Sequence, residues 1–239
     1  MPALQGLLMT SRNVFITGGT GYVGTVLIPI LLARGHTVRA LARKGSEHKL
    51  PRGCQAIPGD ALDAASFANH VAPSDTFIQL VGVPHPSPAK AAQFQSIDLA
   101  SARASVSAAA SANIVHFIYV SVAQPAPVMK AYQAARAEAE SLIRASGMSA
   151  TILRPWYVLG PGHRWAYAVK PMYWLFERLP RTRDTARRLG LVTLEEMVAA
   201  LVQSVESPAS QFRILDVPSI RSAPSAKLKE IAAARTVSE

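Results

Sequence analysis

Residues 13–24 read Asn-Val-Phe-Ile-Thr-Gly-Gly-Thr-Gly-Tyr-Val-Gly, a short apolar run of β type that ends in a glycine-rich turn. An apolar helical pattern at Val26, Leu27, Ile30 and Leu31 follows at once. Strand, glycine loop, helix is the order in which a chain cradles a dinucleotide, and each glycine answers a separate steric demand. Gly18 lets the chain turn sharply, Gly21 lets backbone approach a pyrophosphate, and Gly24 lets the helix pack closely on the strand. Amides and dipole at the helix start favour an anion, so Thr20, Tyr22 and Val23 join the three glycines as expected diphosphate contacts. Glycine turns also serve as plain connectors. The strand and helix periods on either side favour the nucleotide here.

Further along, apolar runs and helical patterns alternate. His36–Ala42 reads as a second strand, Gln55–Pro58 as a third, Thr76–Val81 as a fourth, Val115–Val120 as a fifth and Ala150–Leu153 as a sixth. Helices are expected over Asp63–Val71, Ala89–Ser111 and Met129–Ala145, with a proline-broken loop at Pro84, Pro86 and Pro88 between. Phe212–Val217 reads as a last strand, and Thr193 as the N-cap of a helix with Glu195 and Glu196 in its first turn. This alternation predicts an α/β fold, a doubly wound Rossmann-type parallel sheet in a single domain. A small C-terminal substrate lobe is expected around 160–190, with a frayed tail over 223–239. An apolar content of 49% in 239 residues supplies one large core.

Composition removes several function classes. Cys54 is the one cysteine, so an intrachain disulfide is excluded and a reduced, cytoplasmic setting is the default expectation. His85, His116 and His163 lack metal-ligand spacing, and no metal is expected. No apolar run approaches the roughly 18 residues of a membrane span, and residues 1–9 read as a loose extension rather than a signal peptide. The net charge of +10 comes mostly from arginine, without zinc-finger spacing, an RNA-binding motif or a lysine-rich tail, so nucleic acid is the least favoured partner. A small-molecule substrate is expected instead.

The end of the second strand selects the nucleotide. A carboxylate there would bind the ribose 2′-hydroxyl of NAD, whereas arginine suits a 2′-phosphate. Here the strand runs out at Arg43-Lys44, after Arg39, with no carboxylate nearby. A guanidinium forks onto phosphate, so NADP is favoured over NAD. The plainer alternative is that Arg43 and Lys44 solvate a surface loop.

The spacing Gly18-x-x-Gly21-x-x-Gly24 resembles the short-chain dehydrogenase/reductase superfamily, in its extended and atypical branches, over about residues 12–220. That resemblance implies that Gly59-Asp60 and Ala61 face the adenine, although Asp60 also suits an ordinary helix N-cap. It implies that Leu80, Val81 and Gly82 pass beneath the cofactor. The segment Arg154-Pro-Trp-Tyr-Val-Leu-Gly160-Pro-Gly162 resembles the family's Arg-Pro…Gly-Pro-Gly stretch. Pro155 would then line the nicotinamide, and Trp156 and Tyr157 the substrate pocket; as bare sequence these two aromatics are equally well core residues.

The family works with a Ser-Tyr-Lys set, tyrosine and lysine being four apart on one helix face. Ser121 and Tyr132 occupy the first two places, and Tyr132-Gln-Ala-Ala-Arg136 puts arginine in the third. The resemblance makes Tyr132 the acid/base, Ser121 the group orienting a carbonyl, and Arg136 a ribose-holding cation that does not readily lose a proton. The competing expectation is an amphipathic helix in which Arg136 pairs with Glu140 at the surface. Segment 163–190 carries five aromatic residues and seven basic against two acidic ones, a local +5. It reads as a pocket lid, as a surface for a peripheral membrane or protein partner, or as a packed helix with a solvated basic loop. The small lobe resembles the atypical group that includes NmrA-like sensors and the nucleotide-binding accessory subunit of respiratory complex I. An NADP-dependent oxidoreductase of a small carbonyl, alcohol or quinone-like compound and a non-catalytic NADP(H)-binding sensor or assembly subunit therefore both stand.

Overall fold

Val14, Phe15 and Ile16 are completely buried, as a strand covered on both faces requires, and this run of apolar residues is what makes Asn13–Thr17 (β1) central. The computed structural model describes residues 11–160 and 188–224. Beside β1 lie Thr37–Ala42 (β2), Gln55–Pro58 (β3), Thr76–Gln79 (β4), His116–Val120 (β5), Ser149–Leu153 (β6) and, much later in the chain, Phe212–Leu215 (β9). They form one parallel sheet in the order β3-β2-β1-β4-β5-β6-β9. The order reverses between β1 and β4, and ligands of such sheets bind at the carboxyl ends of the strands at that reversal.

Strand alternation divides the core. Val14, Ile16, Ile78 and Ile118 face Gly24–Ala33 (α1) and Leu194–Glu206 (α4). Phe15, Phe77, Phe117 and Tyr119 face Ala100–Ser111 (α2) and Lys130–Ala145 (α3). Phe15, Phe77 and Phe117 sit in register on adjacent strands, with ring centroids 5.2 and 5.1 Å apart, so an aromatic row crosses the middle of the sheet. The expected N-cap of α4 forms a full capping box: Thr193 Oγ1 accepts from Glu196 N at 3.1 Å, and Thr193 N donates to Glu196 Oε2 at 2.7 Å.

Several expected elements differ in detail. Residues 63–71 form two 3₁₀ turns, Ala64–Ser66 and Ala68–His70, instead of one helix. The break falls at Phe67, whose φ of −142° turns its ring into the core, where it is fully buried. Asp63, not Asp60, caps the first turn through Ala65 N, while Asp60 Oδ1 accepts from Leu62 N at 3.0 Å in a local turn. The helix expected over 89–111 is interrupted by a π-helical stretch, Phe94–Leu99. The fourth and last strands are shorter than expected, the last because Asp216 caps a short helix, Val217–Arg221 (α5). Tyr157–Leu159 (β7) and Leu191–Thr193 (β8) form a separate parallel pair that sequence patterning did not suggest. Between them the substrate lobe expected around 160–190 lies mostly outside the described residues, as does most of the 223–239 tail.

Candidate functional site

The glycine loop lies over the carboxyl ends of β1 and β4. Gly18 adopts φ +78°, and a Cβ there would sit 2.9 Å from Leu80 C and Val81 N, so only glycine lets the loop rest on that backbone. At Gly24 a Cβ would lie 2.5 Å from Gly19 O and 2.7 Å from Gly18 O, which fixes how closely α1 begins behind the loop. Gly21 differs. Its Cβ would meet only Gly18 O, at a tight 3.2 Å, so the fold's steric demand for glycine is weaker there than at Gly18 or Gly24, and the position is exposed. The first turn of α1 holds no acidic side chain to compete for its dipole. An anionic diphosphate therefore fits this cradle: positive φ, close backbone, exposed helix start and no opposing carboxylate.

At the adenine end, Arg43 and Lys44 are both exposed just past β2. Arg39 is occupied elsewhere: it donates to Gln55 Oε1 at 3.0 Å, to His70 O at 2.8 Å and to Ala72 O. Asp60 and Ala61 follow β3 on the same edge of the sheet, where Ser66 Oγ accepts from Asp60 N at 3.0 Å.

The other half of the candidate site is arranged differently from expectation. Ser121 is buried just past β5, and its hydroxyl donates to Glu140 Oε1 at 2.5 Å. Glu140 also accepts from Gln124 Nε2 at 3.0 Å and from Arg154 Nε and Nη2 at 3.0 and 2.5 Å. The serine proton is thus committed to a network that ties β5, α3 and the end of β6. No hydrogen bond joins Ser121 to Tyr132 among the described residues.

Arg136 is 5% exposed and does not pair with Glu140. Its Nη2 lies 2.5 Å from Asp98 Oδ1, and its Nη1 donates to Val120 O at 2.8 Å and to Tyr119 Oη at 3.2 Å. The surface pairing expected from helix spacing is corrected by burial: a guanidinium turned into the core needs a buried counter-charge, and Asp98 supplies it. Gly82 leaves no room for a Cβ beside Arg136 Nη2, so its glycine is required by the guanidinium beneath it. Burial opposes the charge on Arg136, and the oxygens of Tyr119, Tyr132 and Asp98 more than offset this. Burial likewise pushes the Asp98 carboxyl above the usual range, opposed by Arg136 and by the Val83 amide. Both carboxylate oxygens accept from donors, Arg136 and Val83 N (3.1 Å), which leaves no acceptor for a carboxyl proton and favours the ionised pair. Burial also lifts the Tyr119 phenol to about 12.

Tyr132 is half-buried at the start of α3. Its ring packs on Phe94 at 4.9 Å, and the Arg136 guanidinium carbon lies 5.1 Å from the ring centre. Tyr132 and Arg136 are therefore together, one turn apart, while Ser121 belongs to a neighbouring network. Pro155 is buried, and its carbonyl accepts from Ala123 N at 2.9 Å. Trp156 packs against Ala123, Ala126 and Leu189, and Tyr157 against Leu159 and Leu191. A cavity of about 480 Å³ opens at the carboxyl ends of β5, β6 and β9, lined by Ala123, Gln124, Arg154, Arg188, Ile214, Asp216 and Pro218. A larger cavity, about 620 Å³, is lined by residues from Leu62 to Ala64 and from Ala92 to Ala104. Among the described residues no cluster of three or more His, Cys, Asp or Glu is arranged to hold a metal, and no helix is long and apolar enough to cross a membrane.

Sequence reasoning missed Asp98, Arg154 with Glu140, and Gln133. Gln133 holds the loop ahead of α3 by accepting from Ala126 N at 2.8 Å and donating to Ala126 O at 3.0 Å. Asp98 had a signal: it is the one acidic residue between Asp75 and Glu138, set in an alanine-rich run.

A parallel sheet with its reversal at β1/β4, and a glycine loop across that reversal, define a dinucleotide-binding Rossmann protein of the short-chain dehydrogenase/reductase type. The chain belongs to the NAD(P)H-binding family, whose model matches residues 18–169. It is 26% identical over 197 residues to a ceramide reductase of Caulobacter vibrioides, covering 82% of this chain and 61% of that protein. It is 27% identical over 225 residues to a 3-diazoavenalumate denitrifying reductase of a Streptomyces species, covering 83% and 73%. A ketoreductase of Stigmatella aurantiaca acting on a farnesylated dihydroquinoline oxide is 26% identical over 170 residues, 62% of this chain and 51% of that protein. The chain thus spans about half to three quarters of these relatives' lengths. Among solved structures, a short-chain dehydrogenase/reductase superfamily protein from Agrobacterium tumefaciens with bound NAD superposes with a TM-score of 0.62 at 16% identity, covering 86% of this chain and 77% of that one. The Bordetella bronchiseptica enzyme WbmG, solved with NAD and UDP, gives 0.64 at 18%, covering 87% and 73%. These likenesses show the fold.

Proposed function

We propose that this protein is an NADP(H)-dependent reductase acting on the carbonyl group of a small or lipophilic substrate. The observation that carries the reading is the glycine cradle, above all Gly21, an exposed glycine for which the fold makes the weakest steric demand of the three. Arg43 and Lys44, both exposed just past β2, favour the 2′-phosphate of NADP over the 2′-hydroxyl of NAD. Three relatives named as reductases support the reaction class, and two of those names, ceramide and a farnesylated quinoline, support a lipophilic substrate.

When bound, the nicotinamide supplies hydride to the carbonyl carbon. Tyr132 serves as the acid that protonates the carbonyl oxygen, since its phenol stands at the head of α3 beside a fixed cation. Pro155 and Trp156 form the apolar wall, and the cavity bounded by Gln124, Arg154 and Arg188 receives the remainder of the substrate. Ser121 acts through Glu140, fixing the end of β5 rather than gripping the carbonyl.

One observation favours a second reading, a non-catalytic NADP(H)-binding sensor or subunit: both Ser121 and Arg136 are spent on buried partners. NADPH oxidation with a panel of ketones, hydroxyketones and quinones separates the two. A reductase turns over at least one, and Tyr132→Phe then lowers kcat on the order of a hundredfold to ten-thousandfold while nucleotide affinity stays. Full turnover in Tyr132→Phe removes the tyrosine assignment, and no turnover across the panel leaves the sensor reading.

A further inference from the structure

The Asp98–Arg136 pair lies between the carboxyl ends of β4 and β5, one strand from the reversal of the sheet. Arg136 is anchored to Val120 O at the end of β5 and passes directly under Gly82, in the segment that follows β4. Asp98 comes from the π-helical stretch Phe94–Leu99 and ties the same segment down through Val83 N. Such a stretch bulges one residue out of helical register, which is how an otherwise apolar face aims a carboxylate inward. Both side chains are almost wholly buried, 0% and 6% exposed, so neither charge is screened by water. The crevice floor at Leu80–Gly82 therefore has a cation fixed beneath it and an anion cancelling that cation at 2.5 Å.

We propose that Asp98 is a positioning residue that keeps the crevice floor electrically neutral, so that Arg136 does not discriminate between the oxidised and reduced forms of the bound nucleotide. The inference rests on the nucleotide reading above. The oxidised nicotinamide ring carries one positive charge more than the reduced ring. A cation left uncancelled under the floor disfavours the oxidised form, and an anion left there favours it. Because the pair is desolvated, one unit of charge acts over several ångströms with little attenuation.

The test is calorimetric and needs no substrate. Dissociation constants for NADP⁺ and NADPH are measured on the wild type, Asp98→Asn, Arg136→Gln and the double variant. Relative to wild type, Asp98→Asn should raise the ratio Kd(NADP⁺)/Kd(NADPH) by roughly tenfold or more, whereas in Arg136→Gln the buried Asp98 carboxyl, having lost its counter-charge, takes up a proton and the ratio should stay within about twofold of wild type. The double variant, neutral at both positions, should return the ratio to within about twofold of wild type. A merely structural pair would weaken both forms alike and leave the ratio unmoved. If Asp98→Asn does not fold, Asp98→Ser, smaller and equally uncharged, carries the same comparison with the same sign. Saturable binding of both nucleotides to wild type with an unchanged ratio in a folded Asp98 variant that keeps Arg136 overturns this inference alone. Binding of neither form to wild type overturns it together with the nucleotide reading.

Discussion

The two ends of the crevice are built by different means. Across β1 and β4, the cradle is backbone: Gly18 and Gly24 shape it because no side chain fits, and Gly21 stays open to the outside. Across β5 and α3, the structure is side chain: Ser121, Glu140, Gln124 and Arg154 form one partly buried network, and Asp98, Arg136 and Tyr119 form another, fully buried one. A backbone site is read directly from glycines, because the constraint is steric and local. A side-chain site depends on partners brought from distant positions, so the same motif residue serves either chemistry or packing.

The largest expected effect tests whether the second half is held by its polar pairs. Arg136→Met removes one partner of a buried pair and strands the other charge, which should cost about 3–5 kcal/mol in urea unfolding. A loss under about 1 kcal/mol would mean that the pair is solvated and that the contrast between the halves is weaker than drawn.

The amino end of β5 carries a buried polar group of the same kind. His116 Nε2 lies 2.9 Å from Thr151 Oγ1 and accepts from Ala209 N at 3.4 Å. Burial pushes His116 down to about 4, with the Arg213 and Arg12 charges acting in the same direction. The folded protein therefore resists a proton that the unfolded chain, at about 6.5, takes up readily. Stability should be full above pH 6.5, fall as the pH drops toward 4, and lose about 2 kcal/mol by pH 5 through this group. Burial lowers His36 too, in the same sense, so the measurement is the difference in pH slope between wild type and His116→Gln. Equal slopes would remove His116 from the account.

The first half is tested by Gly21→Val. Because a Cβ there meets only Gly18 O, the variant should fold with a thermal midpoint within a few degrees of wild type. Its NADPH affinity should fall by about a hundredfold or more, the scale set by pushing backbone away from a pyrophosphate. Unchanged affinity would reduce the glycine turn to a connector. Smaller still is the expected effect of Arg43→Asp, about tenfold against NADPH relative to NADH, since the guanidinium is exposed and screened.

Much of the fold was legible because strand runs, glycine turns and capping residues are local signals. The alternation of elements and the N-cap at Thr193, with Glu195 and Glu196 in the first turn, follow from sequence alone. What was not legible has a common physical cause. Phe67 breaks an otherwise plausible helix because the core needs its ring, a demand set by Phe15 fifty-two residues earlier in the chain. Arg136 reads as half of a surface i,i+4 pair until burial and Asp98 are known. The β7–β8 pair joins segments separated by the whole substrate lobe. In the candidate site, the Tyr132–Arg136 juxtaposition was legible from helix spacing, whereas the diversion of Ser121 to Glu140 depends on where three elements converge.

The most direct test of the central claim is a calorimetric titration of the wild-type protein with NADPH and with NADH under identical salt. The account predicts saturable one-to-one binding of both, with NADPH tighter by at least about tenfold through Arg43 and Lys44. Equal affinities would contradict the assignment of the 2′-phosphate to those two residues, and the absence of saturable binding by either nucleotide would contradict the site itself.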